Sequence, residues 1–372
     1  MSENAPYDIA VLRGDGVGPE VVDEACKALD AAVATVPGLA LTVTEWEAGV
    51  GLYARTGEAL PTETYDAVRA ADATLLGAMG LPDVRAEDGT EIQGRVTIGL
   101  RTSLGLYGGI RPIKLYPGIT PRIDALGPVD LVVVRENTEG LFASFDGGAG
   151  IADHVVGDTA LISRAGTERV TRRAFELAAA RPGRPSDGTP LVTCVDKANI
   201  FRSQAFFRRV FTEVATGEYP SVPHEFALVD ALSLSVLQRP ETYDVLVTEN
   251  MFGDIISDLA TVLIGGLGMA PSGDVGDRHA LFQPSHGSAP DLVGRGVANP
   301  LATVLSAAMM LDWLADRHDD PAARAAARMV DDAVATVTAH GTVTPDLGGR
   351  ASTVEVGDAV AAVIRESPVP NV

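Results

Sequence analysis

Cysteine is almost missing: Cys26 and Cys194 are the only two in 372 residues. Two cysteines cannot form a disulfide framework, and these lack metal-ligand spacing, which fits a reducing, intracellular setting. Basic residues are also scarce, 29 Lys and Arg against 50 Asp and Glu, for a net charge of −21. Nucleic acid and anionic membranes are polyanions, so both are excluded as expected partners. A small anionic substrate is not, because it feels the charge of a pocket rather than of the whole chain. None of the six histidines has a second ligand at zinc spacing. No apolar run reaches the roughly 18 residues of a membrane helix. The start, Met-Ser-Glu-Asn-Ala-Pro-Tyr-Asp, lacks the basic and apolar regions of a secretory signal. A soluble, cytoplasmic chain long enough for two domains is the expectation.

Short apolar runs alternate with longer helical patterns. The strand-like runs are Ile9–Leu12, Leu41–Trp46, Ala73–Gly77, Leu131–Arg135, Leu191–Val195 and Val245–Thr248. Helix-like segments include Pro19–Ala34, Pro61–Ala70, Thr167–Ala179, Gln204–Ala215, Ile255–Leu263 and Leu301–Arg317. Such alternation predicts an α/β fold around a largely parallel sheet. The run Leu131-Val132-Val133-Val134 does not alternate, as befits a strand covered on both faces. Arg181–Pro190 reads as a surface loop. The Gly-rich stretch Ser144–Ile151 begins an excursion, with β-like pieces at His154–Val156 and Ala160–Ser163. No linker divides the chain, so a second domain is expected to be inserted in the first.

Gly14-Asp15-Gly16-Val17-Gly18-Pro19 follows a strand and opens a helix, where a dinucleotide fingerprint would sit. Its spacing is G-x-G-x-G followed by proline, not G-x-G-x-x-G. A conventional Rossmann nucleotide site is not expected; a tight structural turn and a ligand contact both remain open.

Glu249 to Leu259 is more informative. Asp254 and Asp258 are four residues apart and share one helical face. Ile255, Ile256, Leu259, Ala260, Val262 and Leu263 surround them, so the helix should be buried. Two adjacent buried carboxylates are costly unless paired or bound to a metal, and oxygen ligands select Mg²⁺ or Mn²⁺. Arg101 and Arg111 stand ten residues apart, and Arg135 ends the buried strand, where α/β proteins bind ligands. The arginine fork matches carboxylates bidentately. Lys197, in Val195-Asp196-Lys197-Ala198-Asn199, directly follows a strand and is placed for proton chemistry or a salt bridge. Asp230 ends another strand-like run. His286-Gly287-Ser288-Ala289-Pro290-Asp291 is a tight polar segment ahead of Asn299.

These motifs, in this order, resemble the β-decarboxylating dehydrogenases: the isocitrate, homoisocitrate, isopropylmalate and tartrate dehydrogenases. The match runs from about residue 8 to residue 365. The resemblance implies a two-domain isopropylmalate-dehydrogenase-like fold with a large mixed, mostly parallel sheet. Residues 1–105 and 265–372 would form the first, NAD-binding domain; residues 106–264 would form the second and carry the dimer contacts. It implies that Arg101, Arg111 and Arg135 clamp the malate part of a di- or tri-anionic hydroxy acid. Asp254 and Asp258 would hold Mg²⁺ or Mn²⁺ with Asp230 of the other subunit of a homodimer. Lys197, also from the other subunit, would move a proton. NAD would lie against His286, Gly287, Ser288, Ala289, Asp291 and Asn299.

The implied reaction is oxidative decarboxylation of a 2- or 3-substituted malate. Two positions depart from the family pattern. Phe142 replaces the tyrosine assigned there as the acid that protonates the enol. Gly94-Arg95-Val96-Thr97 matches neither the isocitrate nor the isopropylmalate specificity residues, which leaves Arg95 and Thr97 as readers of the variable group. The alternatives are dehydrogenation without decarboxylation and a non-catalytic regulatory subunit; retention of Lys197, Asp230, Asp254 and Asp258 counts against the latter.

Overall fold

The run Leu131–Val134 is buried along its whole length, in the interior of a ten-stranded sheet in the computed structural model. The structure describes residues 5–87, 89–123, 127–145, 147–152 and 154–369. Met1–Asn4, read above for a leader, and Asp146 of the Gly-rich stretch lie outside the described residues. The strands in chain order are β1 (Tyr7–Leu12), β2 (Leu41–Trp46), β3 (Ala73–Leu76), β4 (Gly108–Lys114), β5 (Asp130–Glu136), β6 (Ala149–Ile151), β7 (Val155–Gly157), β8 (Val192–Asp196), β9 (His224–Leu228), β10 (Val245–Thr248), β11 (Pro271–Val275) and β12 (Ala280–Pro284). The helices are α1 (Gly18–Thr35), α2 (Val50–Thr56), α3 (Thr62–Ala70), α4 (Gln93–Ser103), α5 (Arg164–Ala180), α6 (Arg202–Glu218), α7 (Val229–Gln238), α8 (Asn250–Ala260), α9 (Leu301–His318), α10 (Pro321–Ala339) and α11 (Thr353–Glu366).

The sheet order is β2-β1-β3-β12-β11-β4-β5-β10-β8-β9. Neighbours pair in parallel except at the centre, where β12–β11, β11–β4 and β4–β5 are antiparallel. The fold is therefore the expected α/β architecture with a mixed, mostly parallel sheet. Because β4 pairs Gly109 with Arg135 and Arg111 with Val133, Arg111 and Arg135 project from the same face. Lys114, three residues on, takes the opposite face and meets Asp331 of α10 at 2.6 Å.

Local chemistry sets the helix starts. Asp320 accepts from the Ala322 and Ala323 N–H groups ahead of Pro321, which suits a first helical turn. Ser352 and Glu355 form a capping box at α11. Helix α9 is buried on nearly every side, which is why its sequence is apolar all round.

Two expected boundaries shift. The helix expected at Ile255–Leu263 begins five residues earlier and ends at Ala260, followed by a 3₁₀ turn, Thr261–Ile264. Its cap is Glu249, whose carboxylate accepts from the N–H groups of Met251 (3.1 Å) and Phe252 (2.9 Å). The β-like piece expected at His154–Val156 is β7, one residue further on and paired with β6, and the piece at Ala160–Ser163 is reduced to a single bridge from Leu161 to Gly140.

Candidate functional site

Helix α8 lies directly on β5, and glycine makes the approach possible. A Cβ at Gly253 would fall 2.7 Å from Cβ and Cγ of Arg135. The helix phase then turns Asp254 and Asp258 toward Arg135 and Arg111. The Arg135 fork binds Asp254 through one nitrogen, and its Nε donates to Asn250 Oδ1 at 2.8 Å. Arg111 reaches Ser257 Oγ (3.2 Å), Asp258 (3.4 Å) and Asp254 (3.6 Å). Arg101 comes from α4, and its Nε donates to Asp274 of β11 at 2.9 Å.

Arg101, Arg111, Arg135, Asp254 and Asp258 line one cleft of about 670 Å³, together with Thr97, Phe142, His286 and Gly287. Burial, then repulsion from Arg101 and Arg111, pushes Arg135 down to about 9. Its positive charge is thus held at a cost, and an anion placed between the three forks relieves it. Burial raises Asp258 above the usual carboxylate range, against the pull of Arg111.

The carboxylates are less enclosed than their apolar neighbours implied. The Asp254 and Asp258 side chains are 39% and 50% exposed, and Ile255 is 56% exposed. One face of α8 borders the open cleft and another is uncovered in a single chain, so hydrophobicity all round did not mean burial all round.

Arg95 also needs correction. It is exposed, its guanidinium 5.8 Å from the Tyr53 ring centroid, and it does not line the cleft. In the helix α4, positions 93, 97 and 101 form one row at four-residue spacing, whereas position 95 lies about 200° from 97. Thr97 faces the cleft and Arg95 cannot.

Lys197 and Asp230 are brought together, but elsewhere. Lys197 follows β8, Asp230 sits in the first turn of α7 just past β9, and Nζ meets Oδ1 at 2.6 Å. Neither lines the cleft. The ion pair with Lys197 lowers Asp230 below the usual carboxylate range.

The loop after β12 packs against the glycine-rich turn. Val17 N–H donates to the Ser288 carbonyl at 2.8 Å, and the Ser288 hydroxyl bonds the Gly80 carbonyl. Gly16 has φ +59°, and a Cβ there would lie 2.0 Å from the Ser288 oxygen. Asp15 accepts from the N–H groups of Val50 (2.9 Å), Gly51 (2.8 Å) and Gly80 (3.0 Å), tying α2 to the turn. Within the chain the glycines and Asp15 of this turn hold protein to protein. Ala289 has φ +38° and Asp291 is exposed in a 3₁₀ turn. Asn299 accepts from Leu301 N–H at the start of α9 and donates to Asp346. Among the described residues His286 Nε2 is buried without a partner, and burial pushes the imidazole below its ordinary value.

Residues missed by sequence reasoning include Asp274, Gln283 and Phe145. Asp274 is buried and accepts from Arg101, Asn137 (2.6 Å) and Gln283 (2.9 Å). A lone aspartate in Pro-Ser-Gly-Asp-Val carries no local signal; only pairing of β11 with β12 and β4 brings Asp274 to Arg101, Asn137 and Gln283.

The isocitrate/isopropylmalate dehydrogenase family model matches residues 8–360. The chain belongs to that family. A 3-isopropylmalate/3-methylmalate dehydrogenase of Methanocaldococcus jannaschii is 40% identical over 362 residues, 97% of this chain and 99% of that protein. An isocitrate/homoisocitrate dehydrogenase of Thermus thermophilus is 40% identical over 362 residues, 96% of this chain and 99% of its own length. The crystal structure of isocitrate dehydrogenase from Methylococcus capsulatus superposes with a TM-score of 0.83 at 35% identity, covering 96% of this chain and 99% of that one. These relatives are dehydrogenases and make an oxidoreductase of this member too. Phe142 lines the cleft with its ring centroid 4.9 Å from the Arg135 guanidinium.

Proposed function

We propose that this family member is an NAD-dependent dehydrogenase that oxidises and decarboxylates a 2- or 3-substituted malate with Mg²⁺ or Mn²⁺. The observation that carries the reading is the convergence of Arg101, Arg111 and Arg135 with Asp254 and Asp258 on one cleft. Three forks suit a substrate with two carboxylates, and fixing both sets the reacting carbon in place. The donor set also fits a hard cation: two carboxylates four residues apart, beside space for substrate oxygens and water. Among the described residues of one chain no three His, Cys, Asp or Glu side chains are grouped to hold a metal. That supports a third carboxylate, Asp230, from a second copy. Bound there, the divalent ion supplies Lewis acidity and NAD supplies the hydride acceptor.

The chain's own groups do the rest. The arginines hold the carboxylates, and the partner's Lys197, set by Asp230, takes the hydroxyl proton. Exposed Phe201, Phe226, Leu234 and Ile255, with Ile151, Val155 and Val156 on the β6–β7 hairpin, support a homodimer. Asp291 and Asn299 are proposed NAD contacts beside His286 to Ala289. The domain division, at residues 1–105 with 265–372 and 106–264, remains part of the same proposal. Among the described residues no helix is long and apolar enough to cross a membrane.

The test is NADH and CO₂ release from a panel of substituted malates with NAD and Mn²⁺. At least one should give both in equal amounts, with activity abolished by EDTA and restored by Mn²⁺. NADH without CO₂ favours the non-decarboxylating alternative; full activity in metal-free protein removes the metal's role.

A further inference from the structure

The row along α4 that begins at Arg101 continues away from the arginines. At about 1.5 Å per residue, Thr97 lies about 6 Å and Gln93 about 12 Å further along the cleft. Gly94 and Ile98 flank that row and also line the cleft. Opposite them Phe145, from the turn after β5, closes onto the helix. A Cβ at Gly94 would lie 2.2 Å from Phe145 Cε2 and 2.3 Å from Cζ, so the ring fills the space that glycine leaves. Besides the arginines, Asp254 and Asp258, the charged groups of the lining are Asp158 and Glu91, the latter paired with Arg85 at 3.0 Å. Among the described residues the cleft lining holds no lysine, and no arginine besides Arg101, Arg111 and Arg135.

Resting on the function proposed above, we infer that this wall reads the malate's variable substituent and admits only a small uncharged one: hydrogen, methyl or hydroxyl. Phe145, seated on Gly94, is the specificity-determining residue that shortens the subsite. A third carboxylate or a phosphonate would meet Asp158 and Glu91; Arg85, already paired with Glu91, does not line the cleft, and Arg95 lies on the far side of the helix. An unpaired anion in a half-enclosed site is strongly disfavoured. A branched alkyl group would have to displace the Phe145 ring. Of the two expected readers of the variable group, Thr97 stays in this wall and Arg95 does not.

The experiment compares kcat/KM for 3-methylmalate, tartrate, 3-isopropylmalate and isocitrate, with NAD and Mn²⁺, in the wild type, Phe145→Ala and Phe145→Leu. The wild type should favour 3-methylmalate or tartrate over the larger two by at least about tenfold, the scale on which hydrophobic pockets discriminate. Phe145→Ala should raise the isopropylmalate-to-methylmalate ratio about tenfold or more, and Phe145→Leu by less. Phe145 is 38% exposed on a surface turn, so truncation spares the core; Phe145→Leu carries the same test if the alanine variant fails to fold. Wild-type preference for isopropylmalate or isocitrate overturns the inference, as does an unchanged ratio in both folded variants. Turnover of malates with an unchanged ratio leaves the function standing and removes only the subsite. Absence of turnover with every malate removes the function and the subsite with it.

Discussion

Replacing Phe142 by tyrosine should restore a proton donor to a cleft whose aromatic wall lacks one. The phenyl ring lies against the Arg135 guanidinium, 4.9 Å from centroid to carbon, and it lines the same cleft as Asp254. Phe142→Tyr keeps the ring and therefore the cation–π contact, worth about 0.5–2 kcal/mol. Substrate binding should then change little, and the effect should be read in kcat. General acid catalysis contributes about 10²–10⁴-fold, or roughly 2.7–5.4 kcal/mol of barrier. If enol protonation by water limits the wild type, kcat rises until another step takes over, and the solvent isotope effect on kcat falls. The control is Phe142→Leu, which removes the cation–π contact without adding a proton. It should weaken substrate binding by up to about thirtyfold, the equivalent of 2 kcal/mol, and leave the isotope effect high. The assay is steady-state NADH formation in H₂O and D₂O. An unchanged rate together with an unchanged isotope effect in Phe142→Tyr refutes the reasoning, because another group, Lys197 foremost, then already supplies the proton.

Three further outcomes are expected. NAD should be preferred over NADP by about ten- to a hundredfold, because the exposed Asp291 carboxylate can accept from ribose hydroxyls and repels a 2′-phosphate; equal kcat/KM for the two removes that assignment. Inactive Lys197→Ala and Asp254→Ala chains, mixed, should regain activity, since one site of each heterodimer is intact; verified heterodimers without activity contradict shared sites. Asp274 should carry acid-sensitive stability. Burial pushes its carboxyl up, but the charges of Arg101 and Arg111, with the Arg101 and Asn137 hydrogen bonds, more than offset this and leave it lowered. Its folded pKa lies below the unfolded value of about 3.9. Its contribution is therefore complete above that pH and is lost as pH falls through the folded value. Urea unfolding should show Asp274→Asn least stable relative to wild type near neutrality, with the gap narrowing below about pH 4; a gap that does not narrow removes Asp274 as the titrating group.

Much of the outer frame was legible without coordinates. The apolar runs at residues 9–12, 131–134 and 245–248 are strands because a sheet covered on both faces needs uninterrupted hydrophobic residues, whereas 41–46 alternates and forms an exposed edge strand. Strands β4, β11 and β12 were less legible: Gly108-Gly109, Pro112 and Pro271-Ser272-Gly273-Asp274 interrupt the pattern, and only pairing with neighbours makes them strands. The four-residue spacing of Asp254 and Asp258 already placed them on one face, since helical period is a local property.

Which way that face turned was not local. The β4–β5 register put Arg111 and Arg135 on the same side, and Gly253 let α8 settle on Arg135, so the tertiary structure decided that two aspartates would meet two arginines. The phase of α4, unrecognised from its sequence, excluded Arg95 from the cleft and admitted Thr97. Asp274 became a partner of Arg101 across a sequence separation of 173 residues. Sequence by itself determined the family, the strand frame and the residue types available for chemistry, because periodicity and motifs are written in neighbouring positions. Side-chain direction and long-range pairing depend on how whole elements pack, and only the tertiary structure decided those.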